Sequence, residues 1–105
     1  MKLKLIITTT NSKKNAHDIS EALIESQLSP CVQILSNITS IYRWEEKIER
    51  GEEYLLLVKI LEKHLESCKT IIIEQHNYDV PEIIEIDAKI LNEKYYNWFL
   101  DNSKK

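Results

Sequence analysis

From Val32 to Trp44 the chain alternates. Even positions carry Val32, Ile34, Ser36, Ile38, Ser40, Tyr42 and Trp44, while Gln33, Asn37, Thr39 and Arg43 fall on odd ones. A period of two held this long predicts an extended strand with one drier face, because successive strand side chains point to opposite sides. The run closes on two large aromatics with polar tips and enters the charged segment Glu45–Gly51, which reads as a turn. A second strand returns over Tyr54–Ile60, so the pair reads as a long β-hairpin. In the returning strand Leu55, Leu57 and Leu61 share one parity, and Tyr54, Leu56, Val58 and Ile60 the other. Apolar residues on both sides require both sides to be covered.

The remaining periodicities frame that hairpin. Leu3–Thr9 reads as a strand. Asn11 and Ser12 then offer capping oxygens ahead of Ala16, Ile19, Leu23 and Leu28 at near-helical spacing, and Ser29-Pro30 stops the helix. Lys63–His76 reads as a second helix with Leu65, Cys68, Ile71 and Ile72 inside, and Pro81–Ala88 as a fourth strand. Asn92–Asn102 closes the chain as a helix anchored by Tyr95, Trp98 and Phe99, ahead of a polar tail. Strand, helix, strand, strand, helix, strand and an extra helix is the order of an α+β, ferredoxin-like double βαβ unit with a four-stranded antiparallel sheet. Right-handed crossovers place both connecting helices on one face of that sheet. Covering the other face calls for the last helix to cross over or for another subunit, so an oligomer is expected.

Length and composition narrow the class. The 105 residues suit one domain over 1–105. Cys31 and Cys68 lie far apart without C-x-x-C spacing, the usage of a reduced, cytoplasmic protein. The apolar run after Met1 is too short for a signal peptide, and no segment reaches the roughly 20 apolar residues of a membrane span. The net charge of −3 comes from interspersed charges with no basic stripe, which argues against nucleic acid as a partner. No G-x-S-x-G is present, and nothing sets a cysteine beside a histidine, so no enzyme is expected.

The hairpin, Pro30-Cys31-Val32 at its opening, and Tyr54–Ile60 with Lys59 near its end resemble the central hairpin of the CutA family. Gln75-His76-Asn77-Tyr78-Asp79-Val80-Pro81-Glu82-Ile83-Ile84 is similar to that family's His-Pro-Tyr-x-x-Pro-Glu-Ile motif, with Asn77 in place of the proline. Tyr96-Asn97-Trp98 resembles its closing aromatic pair. These matches run in the family's order across nearly the whole chain. The resemblance implies a cytoplasmic homotrimer associated with divalent-metal response. The copper ligands proposed in the family, a first-strand cysteine and a pair of histidines, fall here on Thr8, Gln75 and His76. Only His76 is left as a metal ligand, so binding of copper or another divalent metal ion is expected to be weak at most, with no certain cofactor.

Read on its own, His76 is either a ligand or proton carrier, or a loop histidine bonded to backbone. Lys59 interrupts an apolar strand and is either a snorkelling edge lysine or an anion contact in a cleft between subunits. Tyr42 and Trp44 then form that cleft's aromatic wall, or simply pack an interface. Tyr78 and Glu82 close the cleft from the loop, with Glu82 a partner for Lys59 or for a bound cation, or simply a solvated carboxylate at the start of a strand. His17 and His64 read as surface residues. Two further roles stay open: a sensor of small anions built like the PII-type signalling proteins, and a rigid trimeric scaffold that docks a partner.

Overall fold

The computed structural model describes all residues from Met1 to Lys105. Four strands, β1 (Leu3–Thr10), β2 (Cys31–Trp44), β3 (Lys47–Leu61) and β4 (Ile84–Ala88), form one sheet in the order β2-β3-β1-β4. All three neighbouring pairs are antiparallel, giving the ferredoxin-like arrangement. Helices α1 (Lys13–Glu25) and α2 (Leu65–Gln75) connect the strands, a short 3-10 turn (Glu62–His64) leads into α2, and α3 (Glu93–Asp101) follows β4. The caps fall where local chemistry puts them. Ser12 accepts from the Asn15 amide and Asn92 from the Tyr95 amide, each satisfying a donor left free in a first helical turn.

Spacing of three and four residues sets Ala16, Ile19 and Leu23 of α1 on one stripe, buried with Cys68 and Ile72 of α2 against Ile6, Leu56, Val58 and Ile60 of the sheet. Burial pushes the Cys68 thiol pKa up to about 12, so this cysteine acts as a small apolar side chain. No helix is long and apolar enough to cross a membrane.

The hairpin departs from its sequence reading in two ways. Leu35 pairs with Leu55 but Ile38 with Glu53, so Ser36 and Asn37 together oppose Tyr54 alone. Asn37 occupies the left-handed region at φ 60°, which Asn tolerates better than most residues. One extra residue reverses the parity of everything after it. Val32 and Ile34 therefore pack on the helix-side core, whereas Ile38, Ser40, Tyr42 and Trp44 take the row of Glu53 and Leu55 on the opposite face. The single drier face expected from Val32 to Trp44 is in fact two half-faces.

The turn also moves. Trp44 pairs with Lys47, leaving only Glu45 and Glu46 at the tip, both at positive φ (48° and 67°) as a tight two-residue hairpin turn demands. Gly51 sits inside the ladder opposite Ser40, and β3 begins at Lys47 rather than Tyr54. The result is a two-stranded arm projecting from the sheet. It stretches the molecule to 46 × 25 × 21 Å and raises the radius of gyration to 14.5 Å, against about 13 Å for a compact chain of this length.

The face away from α1 and α2 is only partly covered. At one end α3 crosses over and buries Phe99 against Leu3 and Leu61. Beyond that contact Leu5, Ile7, Leu55 and Leu57 are half-buried, and Leu35, Ile84 and Ile86 are 45%, 48% and 45% exposed. The polar tail is better anchored than its composition suggests. Ser103 is buried with its hydroxyl donating to the Phe99 carbonyl at 2.8 Å, and the Lys104 amide donates to the Gln27 carbonyl at 2.7 Å. His64 is not a surface residue: it is buried, with Nε2 2.7 Å from the Lys104 carbonyl.

Candidate functional site

Where the arm leaves the sheet, its open-face side chains meet the loop between α2 and β4 across a cleft of about 600 Å³. The arm contributes Tyr42, Trp44 and Glu53, and the loop Tyr78, Asp79 and Glu82. The bulge at Asn37 is what aims Tyr42 and Trp44 into this space. Thr9 forms part of the floor, in the same row as Leu55. Tyr78 crosses the cleft and donates its hydroxyl to Glu53 Oε2 at 2.6 Å. Burial, reinforced by the Glu53 carboxylate, raises the Tyr78 phenol well above its ordinary range, so it stays a hydrogen-bond donor.

Sequence reasoning placed Tyr42, Trp44, Tyr78 and Glu82 together, and the structure brings all four to the cleft. Glu53 is not part of that grouping, because the sequence alone starts the returning strand at Tyr54; the position of the turn at Glu45–Glu46 makes Glu53 a cleft residue.

His76 stands at the head of the loop with both ring nitrogens engaged. The Tyr78 backbone N–H donates to Nδ1 at 3.0 Å, and since an amide can only donate, Nδ1 is an acceptor. The proton therefore sits on Nε2, which donates to the Thr9 carbonyl at 2.9 Å. The ring lies 4.8 Å from that of Tyr78, centroid to centroid. This neutral tautomer ties the loop to β1. Asn77 adds a second tie, accepting from Thr10 Oγ1 and donating to Asn11 Oδ1, each at 3.0 Å. No three His, Cys, Asp or Glu side chains converge closely enough to hold a metal ion, so the residues present do not form a tight metal site.

Burial lowers the His76 pKa below 6.5. The unfolded chain then binds this proton more readily than the folded one, so the contribution of His76 to stability is present above about pH 6.5 and is lost as pH falls below it. Denaturation midpoints measured from pH 8 to pH 5 are expected to fall more steeply for the wild type than for His76→Gln, whose side chain does not titrate. Parallel curves would mean that the imidazole is not held neutral.

Lys59 lies elsewhere in the chain. It pairs with Cys31, ten residues along β3 from Glu49, the partner of Tyr42, a separation of about 33 Å at strand rise. Its ammonium is 3.3 Å from the Tyr95 hydroxyl, 3.9 Å from Cys31 Sγ and 5.4 Å over the Tyr95 ring. None of the ion pairs involves it. Within one chain, then, Lys59 neither joins Tyr42 and Trp44 nor pairs with Glu82, because the long arm sets the two sites at opposite ends of β3.

Known proteins share this fold. The family model described as CutA1 divalent ion tolerance protein matches residues 4–102. The divalent-cation tolerance protein CutA of Thermus thermophilus is 34% identical over 100 residues, 95% of this chain and 97% of that protein. The chloroplastic protein CutA 1 of Oryza sativa is 31% identical over 95% of this chain, which spans 56% of its length. The crystal structure of CutA1 from Ehrlichia chaffeensis superposes with a TM-score of 0.92 at 36% identity, covering 100% of this chain and 99% of that one. The family is named for a tolerance and not for a reaction. Matched by the family model over residues 4–102 and, over 95% of its length, 34% identical to a relative, the chain belongs to the CutA1 divalent ion tolerance family.

Proposed function

We propose that this protein acts in the response to divalent metal ions as a cytoplasmic homotrimer that binds without catalysing a reaction. The observation that carries the reading is the uncovered sheet face, where Leu35, Ile84 and Ile86 flank the half-buried Leu55 and Leu57. A contiguous apolar surface of this kind is stabilised by burial against further copies of the chain. The family resemblance supports three of them, and the exposed Tyr42, Trp44 and Ile48 of each arm are suited to lie on a neighbour. The names of the relatives support the link to divalent cations.

Metal contact in this reading is weak and falls on His76. Ligation requires one ring nitrogen to leave Thr9 or Tyr78, forgoing a hydrogen bond worth about 1 kcal/mol net, with no second soft ligand to compensate. Calorimetry with Cu(II) or Zn(II) at neutral pH is expected to give a dissociation constant no tighter than about micromolar, about 8 kcal/mol. Binding is expected to weaken further below about pH 6 and in His76→Ala. A nanomolar constant, or one indifferent to His76→Ala, would overturn this assignment. A small-anion sensor fits less well, because the cleft presents Glu53, Asp79 and Glu82 with no lysine or arginine among its lining residues.

A further inference from the structure

A single chain is left with two opposite charge deficits on its uncovered side. Among the sheet positions on that face the cations are Lys47, exposed at the tip of the arm, and Lys59, half-buried between Leu5 and Cys31. The Lys59 ammonium lies on the Tyr95 hydroxyl and Cys31 Sγ, with no carboxylate within ion-pair distance. Asp79 and Glu82 also take part in no ion pair, and with Glu53 they line the cleft without a basic side chain. The two groups do not meet within one chain, since Glu53 stands six residues from Lys59 along β3, about 20 Å at strand rise.

Covering this face with another copy removes water from both groups, and a charge desolvated without a partner is costly. A closed ring of copies repeats one heterologous contact, in which a patch on each chain meets a different patch on the next. The Lys59 end of the sheet and the acidic loop are two such patches, opposite in charge. Each also carries aromatics of the kind that anchor interfaces. Tyr95 and Trp98, with ring centroids 5.4 Å apart, stand beside Lys59, and Tyr42 and Trp44 beside the loop. We propose that in the homotrimer Lys59 of each copy pairs with Asp79 and Glu82 of the next, so that the cleft is a seam completed by a neighbouring chain. This contact rests on the trimer reading and specifies which of its surfaces meet.

The test mixes two full-length variants. Lys59→Glu in one chain, and Asp79→Lys with Glu82→Lys in the other, set like charges at every contact of a trimer made from either alone. In a mixed ring, opposite charges meet again at two of the contacts. The chains, one labelled with nitrogen-15, are unfolded, combined in equal amounts and refolded, and native mass spectrometry counts the assemblies. Random association puts about three-quarters of the trimers in mixed forms. At least about nine-tenths is expected, falling back towards the random share as salt is raised. Mixed trimers at the random share, or a folded mixture that does not assemble, would overturn the pairing. If the wild type is trimeric in either case the trimer reading stands, whereas a wild-type monomer removes both. Should circular dichroism show the charge reversals unfolded, Lys59→Gln and Asp79→Asn with Glu82→Gln decide the matter through a double-mutant cycle. Each is expected to raise the trimer dissociation constant about tenfold, and the combination to raise it little more than either. Effects that multiply instead would show that the groups do not meet.

Discussion

Leu57→Asp is expected to convert the assembly to monomers at micromolar concentration. Leu57 lies mid-sheet on the uncovered face, with Ile7 beside it on β1 and Gln33 on β2. It is half-buried in one chain and points away from α1 and α2. A carboxylate there is tolerated by the isolated chain, which can leave it in water. In an interface it is desolvated without a partner, at a cost of several kcal/mol per copy. Native mass spectrometry is expected to find three copies for the wild type and one for the variant, with the far-ultraviolet circular dichroism of each nearly the same. An unchanged assembly in the variant would show that the copies meet through some other surface, and a wild-type monomer would remove the trimer altogether.

Phe99→Ala is expected to be the most damaging single truncation away from the helix-side core. Phe99 is fully buried and joins α3 to Leu3 and Leu61, the paired ends of β1 and β3. Its removal deletes the ring that lets α3 cross to the open face, and large-to-small changes of this kind cost about 3–5 kcal/mol. The loss is expected as a lower guanidinium midpoint at unchanged slope. Trp98→Ala is the contrast: its ring is 43% exposed on the same helix, so a clearly smaller loss is expected. Equal losses would mean that α3 is held by its exposed ring rather than by the Phe99 contact.

Much of this molecule is legible along the chain. Ala16, Ile19 and Leu23 announce α1 by spacing, Ser12 and Asn92 cap their helices, and the order of elements yields the double βαβ sheet. These features are local, since a helix stripe or a cap depends on residues three or four apart. The need for cover on both faces of β3 is likewise a matter of parity within a single strand. Tyr42, Trp44, Tyr78 and Glu82 could be grouped because they belong to motifs, even though nothing in the alternation from Val32 to Trp44 reveals the extra residue at Asn37.

Where strands pair is a different kind of fact. A bulge exists only relative to a partner strand: Ser36 and Asn37 are surplus because Tyr54 alone stands opposite them. The tip at Glu45–Glu46 is settled by the ladder of pairs up to Trp44 and Lys47, not by the glycine at position 51. That same register puts Glu53 in the cleft and carries Lys59 to the far end of β3, beside Tyr95. His64 and Ser103 are buried for a similar reason, since the tail that covers them returns from 40 residues away to meet His64. Periodicity reports which side of its own strand or helix a residue occupies. What stands opposite it is decided by pairing energies summed over whole strands, and a shift of one residue turns every later side chain to the other face.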